Sequence, residues 1–191
     1  MPTIRDARIL IMATDGFEQS ELTQPLEKLK EAGALVHVCA PKGPDIKGWK
    51  DKNWGETVPV DLEISSVAPS EYHCLVLPGG QMNPDVLRMN DDAVDLVLDF
   101  LHSGKIVAAI CHAPWLLIEA GVVEGRQLTS WKSLKTDIEN AGGQWIDREV
   151  VVDDGIITSR CPGDLDAFVA KIIEEIETGE HLEGEPFRVR A

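Results

Sequence analysis

Apolar and polar positions along the chain follow two alternating rhythms. Residues 8–13 (RILIMA) form an unbroken apolar run of strand length, and Asp15-Gly16 follows as a turn. Residues 17–32 carry Leu22, Leu26 and Leu29 at helical spacing, with Gly33 placed to cap the helix. Residues 35–39 (LVHVC) return to strand character, so the first forty residues predict a βαβ unit. Residues 41–57, rich in Gly, Lys, Asp and Trp, show no clear period and predict a loop or irregular hairpin. Residues 58–64 alternate like a half-exposed strand.

The same alternation continues. Residues 73–77 predict a core strand ending in Pro78-Gly79-Gly80, and residues 91–102 a helix with a stripe at Val94, Val97, Leu98 and Leu101. Residues 105–110 (KIVAAI) predict another buried strand, followed by a helix over 113–120 ended by Gly121. Short strands at 127–130 and 144–146 flank a helix over 133–141. Residues 150–152 and 156–158, split by Asp153-Asp154-Gly155, predict a hairpin, and residues 165–176 a closing helix. The expected organisation is one α/β domain over 1–177 and a C-terminal tail over 178–191. Strands alternating with helices imply a mostly parallel sheet covered on both faces. Ligands in such folds bind beyond the carboxyl ends of the strands. The loops at 15–18, 79–85 and 111–114 all fall at that edge.

Composition narrows the classes. The chain has 191 residues, 43% hydrophobic and 27% charged, enough to bury a core without staples. No run approaches the roughly 20 apolar residues of a spanning helix, and the first residues do not read as a signal peptide, so a cytoplasmic location is expected. The net charge of −15 opposes polyanionic partners, nucleic acid and anionic membranes alike. Cys39, Cys74, Cys111 and Cys161 stand far apart with no C-x-x-C pair, so neither a metal site nor a dithiol is expected. His37, His73 and His102 likewise show no ligand spacing.

Cys111 sits where a buried strand meets a helix, in Ala109-Ile110-Cys111-His112-Ala113-Pro114. Such a turn holds its side chain at the strand edge, often in a strained conformation. A helix start favours thiolate over thiol, which predicts that Cys111 is the most acidic of the four thiols. The adjacent His112 imidazole is placed to accept the thiol proton. From position alone two readings stay open, a buried structural cysteine and a nucleophile. Cys39 and Cys74, within apolar strands, fit the structural one.

Four segments in order resemble one family: Ala13-x-Asp15-Gly16-Phe17-Glu18-x-x-Glu21-Leu22, Leu77-Pro78-Gly79-Gly80, Ile110-Cys111-His112-Ala113-Pro114 and the hairpin at 150–160. They are similar to the PfpI family of intracellular peptidases, within the class I glutamine amidotransferase-like superfamily that includes the parkinsonism-associated deglycase. The resemblance implies a flavodoxin-like α/β/α sandwich with Cys111 as a nucleophile beside His112. It implies a carboxyl group opposite the sulfur, which falls on Glu18, and oxyanion-hole amides from Gly80 and His112. Glu21 matches the motif as well, but a solvated helix face is the reading it receives. In PfpI-like oligomers a glutamate meets the neighbouring subunit's histidine; the matching residue here is the shorter Asp85, otherwise a helix N-terminal acid after Pro84. Ala113 stands where many relatives have glycine. Trp115, Trp131 and Trp145 read as packing residues, Trp131 also as a candidate pocket wall, and Ser130 resembles a family site position. His181-x-Glu183, in the acidic tail, reads as coincidence.

The resemblance implies a cofactor-independent enzyme acting on small carbonyl compounds or their protein adducts, as glyoxalase or deglycase, or else on peptides. It also implies a homo-oligomer, dimer or higher. A different class of function is an oxidative-stress sensor or chaperone in which Cys111 is oxidised without turnover.

Overall fold

The computed structural model describes residues 3–179. Seven strands form the central sheet: β1 (Arg8–Met12), β3 (Leu35–Ala40), β6 (Leu62–Glu63), β7 (Cys74–Leu77), β8 (Ile106–Ile110), β11 (Val150–Asp153) and β12 (Ile156–Ser159). Their order is β11-β12-β8-β7-β1-β3-β6, parallel throughout except for the antiparallel β11–β12 edge pair. The inner strands β7 and β8 are buried at every position, as expected where helices cover both faces. This is the flavodoxin-like arrangement.

Helices α1 (Gln19–Ala32) and α6 (Leu165–Thr178) cover one face; Leu22, Leu29, Phe168 and Ile172 pack there on Ile9, Ile11 and Val76. On the other face α3 (Asp91–His102), α4 (Pro114–Glu119) and α5 (Lys135–Asn140) bury Val97, Phe100, Leu117 and Ile138 against Leu10, Leu75 and Val107. The short α2 (Met82–Leu87) follows the di-glycine loop. After β1 the chain crosses to β3 on one side, then returns to place β7 on the other. The sheet order therefore reverses at β1, and the carboxyl ends of β1, β7 and β8 open onto one crevice.

Two local expectations need correction, and the 41–57 segment takes the hairpin form of its two expected readings. The helix predicted from residue 17 begins at Gln19, because Phe17 and Glu18 form a short strand, β2 (Phe17–Glu18). The aperiodic 41–57 segment is an ordered hairpin, β4 (Asp45–Lys50) and β5 (Asn53–Pro59), which pairs with β2 as a second small sheet. Its turn residues Asp51 and Lys52 both have positive φ, 51° and 63°, the handedness tight hairpins favour. The predicted strand over 58–64 is divided: Val58 and Pro59 end β5, while Leu62 and Glu63 join the main sheet beside β3. Hydrogen bonds of Val60 N–H to Pro44 and of Asp61 N–H to Val38 mark the handover between sheets.

The remaining pair, β9 (Gln127–Leu128) and β10 (Gln144–Trp145), is parallel and separate. The buried Arg126 ties it to the β11–β12 turn through Asp153 and Asp154. Helix α6 ends at Thr178; residues 180–191, including His181 and Glu183, lie outside the described residues. Among the described residues no helix is long and apolar enough to cross a membrane.

Candidate active site

Cys111 follows β8 directly and adopts φ +63°, a left-handed conformation that a non-glycine residue holds only when its surroundings enforce it. Two hydrogen bonds enforce it here. Cys111 N–H donates to Ser159 of β12 at 3.0 Å, and its carbonyl accepts the Trp131 N–H at 2.9 Å. The side chain is thereby turned out of the sheet toward the di-glycine loop, yet the residue is only 7% exposed.

Four groups surround the sulfur. His112 Nδ1 lies 3.1 Å from Sγ. The backbone N–H groups of Gly80 and His112 face it and favour its anion. The fourth is the carboxyl of Glu21, fully buried on the inner face of α1, which interacts with the thiol. Glu21 Oε2 accepts the Gly79 N–H at 2.9 Å, and Oε1 has no other hydrogen-bonding partner.

The acid opposite the sulfur is therefore Glu21, and the expectation that it would be Glu18 is corrected. Because α1 starts at Gln19, its inward row is Glu21, Leu22, Pro25 and Leu29. Glu18 instead belongs to β2, where Phe17 points inward and Glu18 toward the β4–β5 hairpin. Its carboxyl accepts from Ser20 Oγ at 3.3 Å and lies in the fields of Asp51 and Lys50. Partial burial raises the Glu18 carboxyl above its ordinary value, opposed by the Ser20 hydrogen bonds. One signal for Glu21 was present in the chain: it lies four residues before Pro25 and eight before Leu29, on one helical row.

The electrostatics also run against the expectation that Cys111 is the most acidic of the four thiols, since Cys111 is raised along with the buried Cys39 and Cys74. Burial, then the neighbouring Glu21 carboxyl, push the Cys111 thiol up, and the Gly80 and His112 amides only partly offset them. The start of the six-residue α4 does not overcome desolvation. Burial raises Cys39 and Cys74 as well. Burial pushes Glu21 up to about 8, so its carboxyl is neutral at pH 7 and able to donate. Desolvation lowers His112, leaving a neutral imidazole. The resting site is thus a thiol, a carboxylic acid and a neutral imidazole, an arrangement suited to moving protons during the reaction rather than before it.

His112 is packed between Trp115 and Trp131, with ring centroids 5.3 and 6.3 Å away, and its Nε2 lies 3.4 Å from Ser133 Oγ. Trp131 is partly exposed and walls the site, whereas Ser130 is buried and accepts the Trp145 Nε1–H at 3.0 Å. Asp85 projects into solvent from α2, and among the described residues it makes no contact with His112. Its neighbours Met82, Val86 and Met89 are exposed apolar side chains, Met89 at 74%. Among the described residues no cluster of three or more His, Cys, Asp or Glu is placed to hold a metal.

The DJ-1/PfpI family model matches residues 7–175. The chain is 44% identical to Deglycase TK1284 of Thermococcus kodakarensis over 167 residues, spanning 87% of this chain and 98% of that one. It is equally 44% identical to Protein/nucleic acid deglycase 2 of Escherichia coli, over 84% of this chain and 92% of the relative. Among solved structures, Drosophila melanogaster DJ-1beta superposes with a TM-score of 0.82 at 31% identity, covering 93% of this chain and 94% of that one.

Proposed function

The chain belongs to the DJ-1/PfpI family, and on that premise we propose that it is a cysteine-dependent, cofactor-independent enzyme acting on reactive carbonyls or their adducts on proteins. One observation carries the reading: a strained, buried Cys111 with His112 Nδ1 at 3.1 Å, two backbone amides on its sulfur and a neutral carboxylic acid opposite. The deglycase names of two relatives support the substrate class. The Escherichia coli name also covers nucleic acid; here the net charge of −15 favours small carbonyls and protein adducts over a polyanion.

For a 2-oxoaldehyde such as methylglyoxal, the Cys111 sulfur bonds to the aldehyde carbon while His112 Nδ1 takes the thiol proton. The carbonyl electron pair moves onto oxygen, which faces the Gly80 and His112 amides. Glu21 gives that oxygen its proton, leaving a hemithioacetal and a carboxylate. The carboxylate then takes the C1 proton as His112 protonates the C2 oxygen. Glu21 delivers the former C1 proton to C2 and takes back the C1 hydroxyl proton, leaving a 2-hydroxy thioester. Water adds to it, the carbon–sulfur bond breaks, and the thiol is restored with release of the hydroxy acid. The folded protein should consume methylglyoxal without glutathione and release one hydroxy acid per aldehyde. Cleavage of a casein peptide with no loss of methylglyoxal or of its adducts would replace this reading by a peptidase. A slow mass gain of Cys111 in peroxide is expected, since burial keeps it a thiol; oxidation within seconds and no turnover would favour the sensor reading.

The same proposal includes a homo-oligomer in which Asp85 reaches the partner's His112. The exposed apolar side chains beside Asp85 on α2 support a buried partner contact there. Inactive Cys111→Ala and Asp85→Ala proteins, mixed under conditions of subunit exchange, should regain activity, because each mixed contact contains one intact site. No recovery after exchange verified by mass spectrometry means that Asp85 does not act in trans.

A further inference from the structure

The di-glycine loop presents a physical difficulty. Gly79 and Gly80 are required by space: a Cβ on Gly79 would lie 2.7 Å from the Cys111 Cβ, and one on Gly80 would lie 2.6 Å from the Glu18 nitrogen. Gly80 also sits at φ +82°. Yet glycine is the residue whose peptide units rotate most freely. The site needs the Gly79 and Gly80 N–H groups aimed at Glu21 and Cys111, so something other than local preference must hold them.

Asn83, on α2, supplies that hold. It is fully buried and polar, the first residue of its kind beyond the loop. Its Oδ1 accepts the Thr14 N–H at 2.8 Å, which settles which end of the amide is the donor. Its Nδ2 donates to the carbonyls of Pro78 at 2.7 Å and Gly79 at 3.2 Å. A trans peptide points its C=O and N–H in opposite directions. Gripping the Pro78 carbonyl therefore turns the Gly79 N–H toward Glu21 Oε2, 2.9 Å away. Gripping the Gly79 carbonyl, with help from the Glu18 N–H at 3.2 Å, turns the Gly80 N–H toward the Cys111 sulfur.

We propose that Asn83 is the positioning residue of this site, orienting two consecutive peptide units so that one fixes the Glu21 carboxyl and the other faces the oxyanion. It touches neither substrate nor sulfur and acts through backbone geometry alone. Because it also reaches Thr14, it couples the loop after β1 to the loop after β7, the two sides of the crevice.

The proposal rests on the carbonyl-addition reading for its effect on turnover, but not for its effect on the thiol. In Asn83→Ala, kcat should fall about 10- to 100-fold with KM nearly unchanged, somewhat less than complete removal of an oxyanion donor. Alkylation of Cys111 by iodoacetamide at pH 8 should slow about tenfold, as expected when one hydrogen bond to the thiolate is lost. Asn83→Asp retains the acceptor for Thr14 but removes the amide donor, and should lose activity to a similar degree. Unchanged kcat and alkylation in a folded variant would overturn the proposal. So would faster alkylation, which is the mark of a loosened loop, and so would failure of both variants to fold, which assigns Asn83 to the core. If the wild-type protein shows no carbonyl turnover, the functional reading fails, while the alkylation rates still judge Asn83.

Discussion

Cys111→Ser is expected to lower carbonyl turnover by roughly 10³-fold or more, since loss of the proposed nucleophile removes the covalent route while binding survives. Serine is nearly isosteric and its main chain makes the same two hydrogen bonds, so the fold and the φ +63° turn should persist. A serine hydroxyl has a far higher pKa than a thiol, and the neutral His112 imidazole is too weak a base to offset the difference. Hydroxy-acid release from methylglyoxal, measured beside the melting temperature, tests this. Retention of more than a tenth of wild-type kcat in a normally folded variant would remove Cys111 from the mechanism.

Glu21→Gln should act on both chemistry and stability. Glutamine still accepts the Gly79 N–H but cannot pass a proton, and general acid–base catalysis is typically worth 10²- to 10⁴-fold, so kcat should fall within that range. Glu18→Gln, by contrast, should leave kcat within about threefold, its carboxyl facing Ser20 and the hairpin rather than the sulfur.

The stability effect follows from the buried acid. Burial pushes the folded Glu21 carboxyl up to about 8, against an ordinary carboxyl value of 4.5, so between these pH values the folded chain holds a proton that the unfolded chain has released. Stability should therefore be fullest below pH 4.5 with respect to this group, and decline as pH rises through the window. The slope approaches about 1.4 kcal/mol per unit, a few kcal/mol in all. Glu21→Gln should flatten this dependence and be the more stable protein at pH 9. Urea unfolding at pH 5, 7 and 9 gives the comparison. Parallel curves for the two proteins would show that Glu21 is ionised in the folded state.

Much of this architecture is written in the chain. The alternation of apolar runs with helical stripes specified a parallel sheet, because strands buried on both faces cannot alternate with polar residues. The strand-to-helix junction made Cys111 a candidate, and the di-glycine after β7 marked the close approach that a Cβ would obstruct.

What the chain did not disclose depends on rotation and burial. One residue along a helix turns the side chain by about 100°, so starting α1 at Gln19 put Glu21 toward the core, while pairing with β4 turned Glu18 to the hairpin. Both are acids of the same motif, and only the tertiary register separates them. The thiol's protonation is likewise set by depth: the sequence shows a helix start that favours an anion, but not the desolvation that outweighs it. Asn83 was invisible for a related reason. Its three hydrogen bonds go to backbone groups of Thr14, Pro78 and Gly79, and backbone partners carry no side-chain identity to read. Local periodicity thus determined which segments form the crevice. Packing decided which polar groups face into it, because only the assembled layers exclude water and fix each residue's rotation about its element.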